Sequence, residues 1–124
     1  MIKYDKNNIF AKIIRGEIPA AKVYEDEDVL AFNDLSELAP VHVLVIPKGE
    51  YVDFADFVAA ESSEKVANFF TKVADVAKKL DLDDTGYRII SNKGGDASQS
   101  VPHFHVHLLG KKKLGPLIVG DRNH

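Results

Sequence analysis

The sequence predicts an α+β domain: a five-stranded antiparallel sheet with one long and one short helix. Three observations lead there. Five short runs rich in β-branched and aromatic residues are separated by turn residues and follow one another mostly in hairpin order. Residues 63–80 hold one apolar stripe at helical period, and residues 9–15 hold a shorter one. The 124 residues suit a single domain, and 45% hydrophobic with 28% charged residues is the balance of an ordinary globular chain.

Asn8 is placed to cap a short helix over about 9–15, with Ile9, Phe10, Ile13 and Ile14 on one face and Gly16 as its stop. Lys22-Val23-Tyr24-Glu25 reads as a strand, Asp26-Glu27-Asp28 as a charged turn, and Val29 to Asp34 as the hairpin partner. Val41 to Ile46 is β-branched and apolar except for His42, which suits a central strand closed by Pro47-Lys48-Gly49. The stretch from Glu50 to Glu61 carries no element in this reading. The long helix runs from about Ser63 to Leu80, with Val66, Phe69, Phe70, Val73, Val76, Ala77 and Leu80 as its stripe. Ser62 or Ser63 caps it, and Lys78 and Lys79 suit its last turn. Tyr87 to Asn92 is a strand, Lys93 to Ser100 a loop, and Val101 to Leu109 the last strand, broken where Pro102 stands. The core spans about 8–110 and a tail runs from 111 to 124, with His124 expected to be disordered.

The absence of cysteine excludes disulfides and thiolate metal sites, and suits a reducing, cytoplasmic compartment. With a net charge of −3, nothing in the composition calls for duplex nucleic acid, a partner that favours a strongly basic face. The first residues lack the apolar stretch of a signal peptide, and no apolar run is long enough for a membrane span.

The chemistry lies in His103-Phe104-His105-Val106-His107. In an extended strand alternate side chains share a face. The three imidazoles are therefore expected to line an open face, with Phe104, Val106 and Leu108 buried under the helix. Burying three imidazoles would require a partner for every ring nitrogen. Two functions suit such a row. It could chelate zinc, with His42 as a fourth ligand. Alternatively, a neutral imidazole could attack phosphorus while its neighbours donate to the phosphoryl oxygens. The preceding loop favours phosphorus: Gly94-Gly95 allows consecutive N–H groups to face an anion, and Ser98, Gln99 and Ser100 add neutral donors. It lacks the Gly-Lys-Ser/Thr ending of a P-loop.

The run His103 to Leu109 matches His-φ-His-φ-His-φ-φ, with φ apolar, and resembles the signature of the histidine triad (HIT) superfamily. The likeness extends through Asn8 to Ala20, Leu30 to Asp34, Ala39 to Lys48, Asn92, and Ser98 to Val101, and is nearest the Hint-like branch of nucleotide-binding proteins. That resemblance implies a HIT-like fold and a nucleotide hydrolase. His105 would attack the α-phosphorus to form a nucleotidyl-histidine. His107 would contact the phosphate, His103 would orient the nucleophile through its backbone carbonyl, and His42 would join the imidazole network. Ser100 would assist the leaving group, and Gln99 with the amides around Ser98 and Val101 would hold the phosphate. Asp34, beside Asn33, would accept from the ribose. Ile9, Phe10, Ile13, Phe32 and Leu35 would form the base slot, and Asn92 would approach the sugar.

The implied substrate is a purine nucleoside phosphoramidate. Dinucleoside polyphosphate hydrolysis, nucleotidyl transfer and a nucleotide-binding interaction protein are the alternatives. The family also implies a homodimer joined through its sheets and long helices, although the helix stripe could equally be satisfied within one chain. Some relatives hold zinc with an early pair of cysteines. Here that region reads Asn8-Ile9-Phe10-Ala11, so neither zinc nor another cofactor is expected. Ser98 stands where glycine is common, and Lys111-Lys112-Lys113 reads as a solvated turn.

Overall fold

The computed structural model describes residues 3–118, so His124 lies outside the described residues. Helix α1 (Ile9–Ile14) starts where expected, with the Asn8 side chain accepting from Ala11 N at 2.9 Å. Such a cap contributes about 1 kcal/mol. Strands β1 (Lys22–Glu25) and β2 (Val29–Asn33) form the first hairpin. Its turn is pinned by Asp26 Oδ1, which accepts from the backbone N–H groups of Asp28 and Val29 at 2.8 Å. Strand β3 (Val41–Pro47) follows, and β4 (Tyr87–Ile90) and β5 (Val106–Gly110) complete a sheet of order β1-β2-β3-β5-β4, antiparallel throughout.

Two helices link the halves of the sheet. Helix α3 (Ser63–Lys79) is the long helix of the sequence, capped by Ser62. Helix α2 (Phe54–Ala60) is an addition to the sequence reading. Its cap, Asp53, accepts from Asp56 N at 2.9 Å, and Phe57 is the residue it buries. A single buried side chain in seven residues makes no periodic stripe, which is why patterning passes over it.

The core has two parts, one on each side of the sheet. On the α3 side, Phe57, Phe69, Val73, Val76 and Ala77 pack on Val29, Ala31, Val43, Val45, Phe104, Val106 and Leu108. On the other side, Phe10 and Ile13 of α1 pack on Leu30, Phe32, Leu44 and Ile46. The second face is therefore covered in part by α1. No helix among the described residues is long and apolar enough to cross a membrane.

The last strand departs from expectation. It begins at Val106, not Val101. Pro102 brings no N–H to a ladder, and residues 101–105 bend: His103 N donates to Val101 O at 2.9 Å and Phe104 N to Tyr51 O at 2.8 Å. The bend carries His103 inside, where it is 0% exposed. The expected open row of three rings is corrected accordingly. His103 is an interior residue, His105 is buried, and His107 is partly open.

Candidate active site

Strands β3 and β5 lie side by side, with Leu44 opposite His107 and His42 opposite Leu109. Alternation turns Val43, Val45, Val106 and Leu108 towards α3 and leaves His42, Leu44 and His107 on the α1 side. Phe10 closes over this group, its ring edge-on to His105 at 4.9 Å between centroids. The result is a cleft of about 400 Å³ walled by α1, the connector after it, the end of β2 and the start of the β2–β3 loop.

Ile9, Phe10, Ile13, Phe32, Asn33, Asp34, Leu35, Ser100, Val101, His105 and His107 all line this cleft. Leu35 stands at its mouth, 99% exposed. Ile18, Pro19, Ala20, Ala21, Ser36 and Leu44 line it too and were not predicted. Leu44 was legible in principle, since it alternates with His42 on one strand; the others follow only from how the connector folds back. Asn92 and Ser98 stand outside the cleft wall. Gln99 ties its loop together and to the segment before α2: its Oε1 accepts from Gly94 N at 3.0 Å, and its Nε2 donates to Val52 O at 2.7 Å and Val101 O at 3.1 Å. It braces the loop. Ser98 adopts φ 56, the left-handed region in which a glycine carries no steric cost.

The hydrogen bonds fix where each imidazole carries its proton, because a carbonyl only accepts and a backbone N–H only donates. His105 Nδ1 lies 2.7 Å from His103 O, so Nδ1 holds the proton and Nε2 keeps its lone pair. His103 Nε2 lies 2.8 Å from Pro47 O and donates to it, so its Nδ1 accepts from the Tyr4 hydroxyl at 2.7 Å. His42 Nδ1 accepts from Leu38 N at 3.2 Å, which leaves the proton on Nε2. That Nε2–H faces His107 Nδ1 at 3.0 Å and Asp34 Oδ2 at 3.3 Å. His107 Nδ1 is then an acceptor, and its own proton sits on Nε2. The network delivers one bare nitrogen, on His105, and one N–H donor, on His107, from rings 5.1 Å apart.

Burial keeps His103, His105 and His107 neutral. It pushes His103 down to about 4, helped by neighbouring His105 and opposed by the Pro47 carbonyl. It pushes His107 down to about 4 as well, with His105 and His42 adding to the drop and Asp34 opposing it. His105 is lowered by burial against the pull of the His103 carbonyl and Asp34. A neutral imidazole near pH 7 is the form that can act as a nucleophile.

Asp34, His42 and His107 each offer a ligand atom, all within 4.8 Å of one another. Yet a proton already bridges the two imidazoles, and a cation would have to displace it. The trio fits a hydrogen-bond network better than a metal centre. Asp34 is the carboxylate that the sequence lacks beside the histidines; the β2–β3 loop supplies it from a distance.

A neutral, buried histidine with a free Nε2 in a half-apolar cleft, on this sheet order, defines a histidine triad domain. The HIT domain pattern matches residues 15–114, and the chain belongs to that family. It is 50% identical to an uncharacterised HIT-like protein of Rickettsia prowazekii, over 93% of this chain and 96% of that one. It is 40% identical to the purine nucleoside phosphoramidase of Escherichia coli, over 91% of this chain and 94% of that one. Among solved structures, a HIT family hydrolase from Clostridium thermocellum superposes with a TM-score of 0.80 at 38% identity, covering 93% of this chain and 99% of that one.

Proposed function

We propose that this protein hydrolyses purine nucleoside phosphoramidates at the α-phosphorus. The observation that carries the proposal is the 2.7 Å bond from His105 Nδ1–H to His103 O, which commits Nε2 to the nucleophilic tautomer beside the cleft. His105 Nε2 attacks phosphorus, the P–N bond to the leaving amine breaks, and a nucleotidyl-histidine forms. Water then attacks the same phosphorus, the bond to Nε2 breaks, and the 5′-monophosphate leaves. His107 Nε2–H donates to a phosphoryl oxygen as charge develops there. Ser100, at the cleft wall, assists departure of the amine by its hydroxyl. Asp34 accepts from the ribose, and Ile9, Phe10, Ile13, Phe32 and Leu35 receive the base.

The identity to a phosphoramidase along nearly the whole chain supports this choice of leaving group. No metal is required, because hydrogen-bond donors already meet the developing charge. A homodimer joined at β4 is part of the proposal. That strand is one of the sheet's two edges, and its Tyr87, Ile89 and Ile90 are exposed. The stripe of α3, in contrast, is largely used within the chain. The absence of cysteine suits a cytoplasmic protein.

The test is hydrolysis of adenosine 5′-phosphoramidate, with chelator present, by the wild type and His105→Ala. Turnover that survives chelation and vanishes in the variant is the expected result. A wild type that binds the 5′-monophosphate but turns nothing over would sink the phosphoramidase assignment.

A further inference from the structure

The first described residues reach the catalytic strand. Tyr4 donates its hydroxyl to His103 Nδ1 at 2.7 Å, its ring edge-on to the imidazole at 5.7 Å. The other ring nitrogen of His103 donates to Pro47 O, and the His103 carbonyl accepts from His105 Nδ1. His103 is fully buried, so each ring nitrogen needs a protein partner, and Tyr4 is the partner of Nδ1. The same segment is anchored a few residues later. Asn8 donates to Asp5 O and caps α1, and Phe10 of that helix rests against His105. One stretch of chain therefore holds the nucleophile twice, by a hydroxyl behind His103 and by a ring over His105.

We propose that Tyr4 is a positioning residue for the reaction: its hydroxyl locks the His103 ring, and so the carbonyl that holds the attacking tautomer of His105. Tyr4 does not line the cleft. Without the hydroxyl, a buried imidazole nitrogen loses its donor. The ring turns to find another, and the peptide at 103 turns with it. His105 then populates the wrong tautomer, with its lone pair on Nδ1 and pointed away from the cleft. The proposal builds on the phosphoramidase reading for its kinetic arm alone.

Tyr4→Phe keeps the ring and removes only the hydroxyl. Its single-turnover cleavage of adenosine 5′-phosphoramidate should slow by about tenfold to a hundredfold, with affinity for the 5′-monophosphate within about twofold of wild type. In ligand-free, ¹⁵N-histidine-labelled protein, His105 should show the Nδ1–H tautomer alone in the wild type and a mixture in the variant. An unchanged cleavage rate overturns the proposal, as does a loss matched by an equal loss of affinity. The tautomer arm needs no substrate. If the wild type turns over no phosphoramidate, only the reading of the reaction falls, and the His105 tautomer decides whether Tyr4 positions it. A wild type in which His103 Nδ1 lacks the ¹⁵N shift of a hydrogen-bonded acceptor overturns the proposal without any variant.

Discussion

On the α3 side of the sheet, Phe57, Phe69 and Phe104 meet ring to ring at centroid distances of 5.0 to 5.3 Å, among aliphatic side chains. On the α1 side, β3 and β5 present His42 and His107, joined by a hydrogen bond, and His105, in the bend just before β5, is held by the His103 carbonyl beside the same cleft. Phe104 and His105 are neighbours in sequence and belong to different worlds. The dry side tolerates exchange of one apolar shape for another at modest cost. The polar side tolerates almost none, because the ring nitrogens there are tied to particular donors and acceptors. No buried side-chain polar atom among the described residues lacks a partner, so the polar side is as complete as the dry one.

The largest break in this comparison comes from His105→Ala, which should lower turnover of adenosine 5′-phosphoramidate by about 10³-fold or more, with a smaller loss of unfolding free energy in urea than the core truncation beside it. Its neighbour should do the reverse. Phe104→Ala empties the centre of the aromatic cluster and should cost about 3–5 kcal/mol in unfolding free energy. The protein that remains folded should keep most of its rate. Next in size is His42→Ala, which removes the donor that sets the His107 tautomer. A loss of up to about a hundredfold in kcat, larger than any change in KM, is the expected steady-state result, and an unchanged kcat would remove His42 from the network.

Acid should discriminate between the faces in a graded way. His103 and His107 are held near 4 in the folded chain and titrate near the ordinary value of 6.5 when unfolded. Between those values the unfolded chain binds protons that the folded one refuses. The stability they contribute is full above pH 6.5 and is lost as pH falls towards about 4. Thermal melts across that window should show the decline, and replacing His107 with glutamine should flatten it. The smallest effect is expected from Ser98→Gly, which relieves the left-handed φ of 56 at Ser98 and should stabilise by about 1 kcal/mol or less in denaturant titrations.

Much of this was legible in the sequence because it is periodic. The stripe of α3, the β-branched runs of β2 and β3, and the alternation from Val106 to Leu109 all declare their faces directly. What periodicity cannot show is where a strand stops and which distant group meets it. Pro102 marked a break, yet the interior position of His103 depends on Tyr4 and Pro47, remote in sequence. Asp34 reaches His42 only because the β2–β3 loop folds back over the sheet. Helix α2 was missed for the opposite reason: its cap signal, Asp53, is local and was available, but one buried Phe gives no period to accompany it.

The outermost strand has a mechanical consequence for the reacting one. β4 is four residues long, and it flanks β5 with Ile90 opposite His107. Just beyond it, the Ser91 hydroxyl donates to the His105 carbonyl at 2.9 Å. His105 thus leans on a short rail whose far side carries no strand among the described residues. Any chain that adds itself to that rail would stiffen the reaction centre without approaching it, and dilution that removes the added strand would slow each subunit.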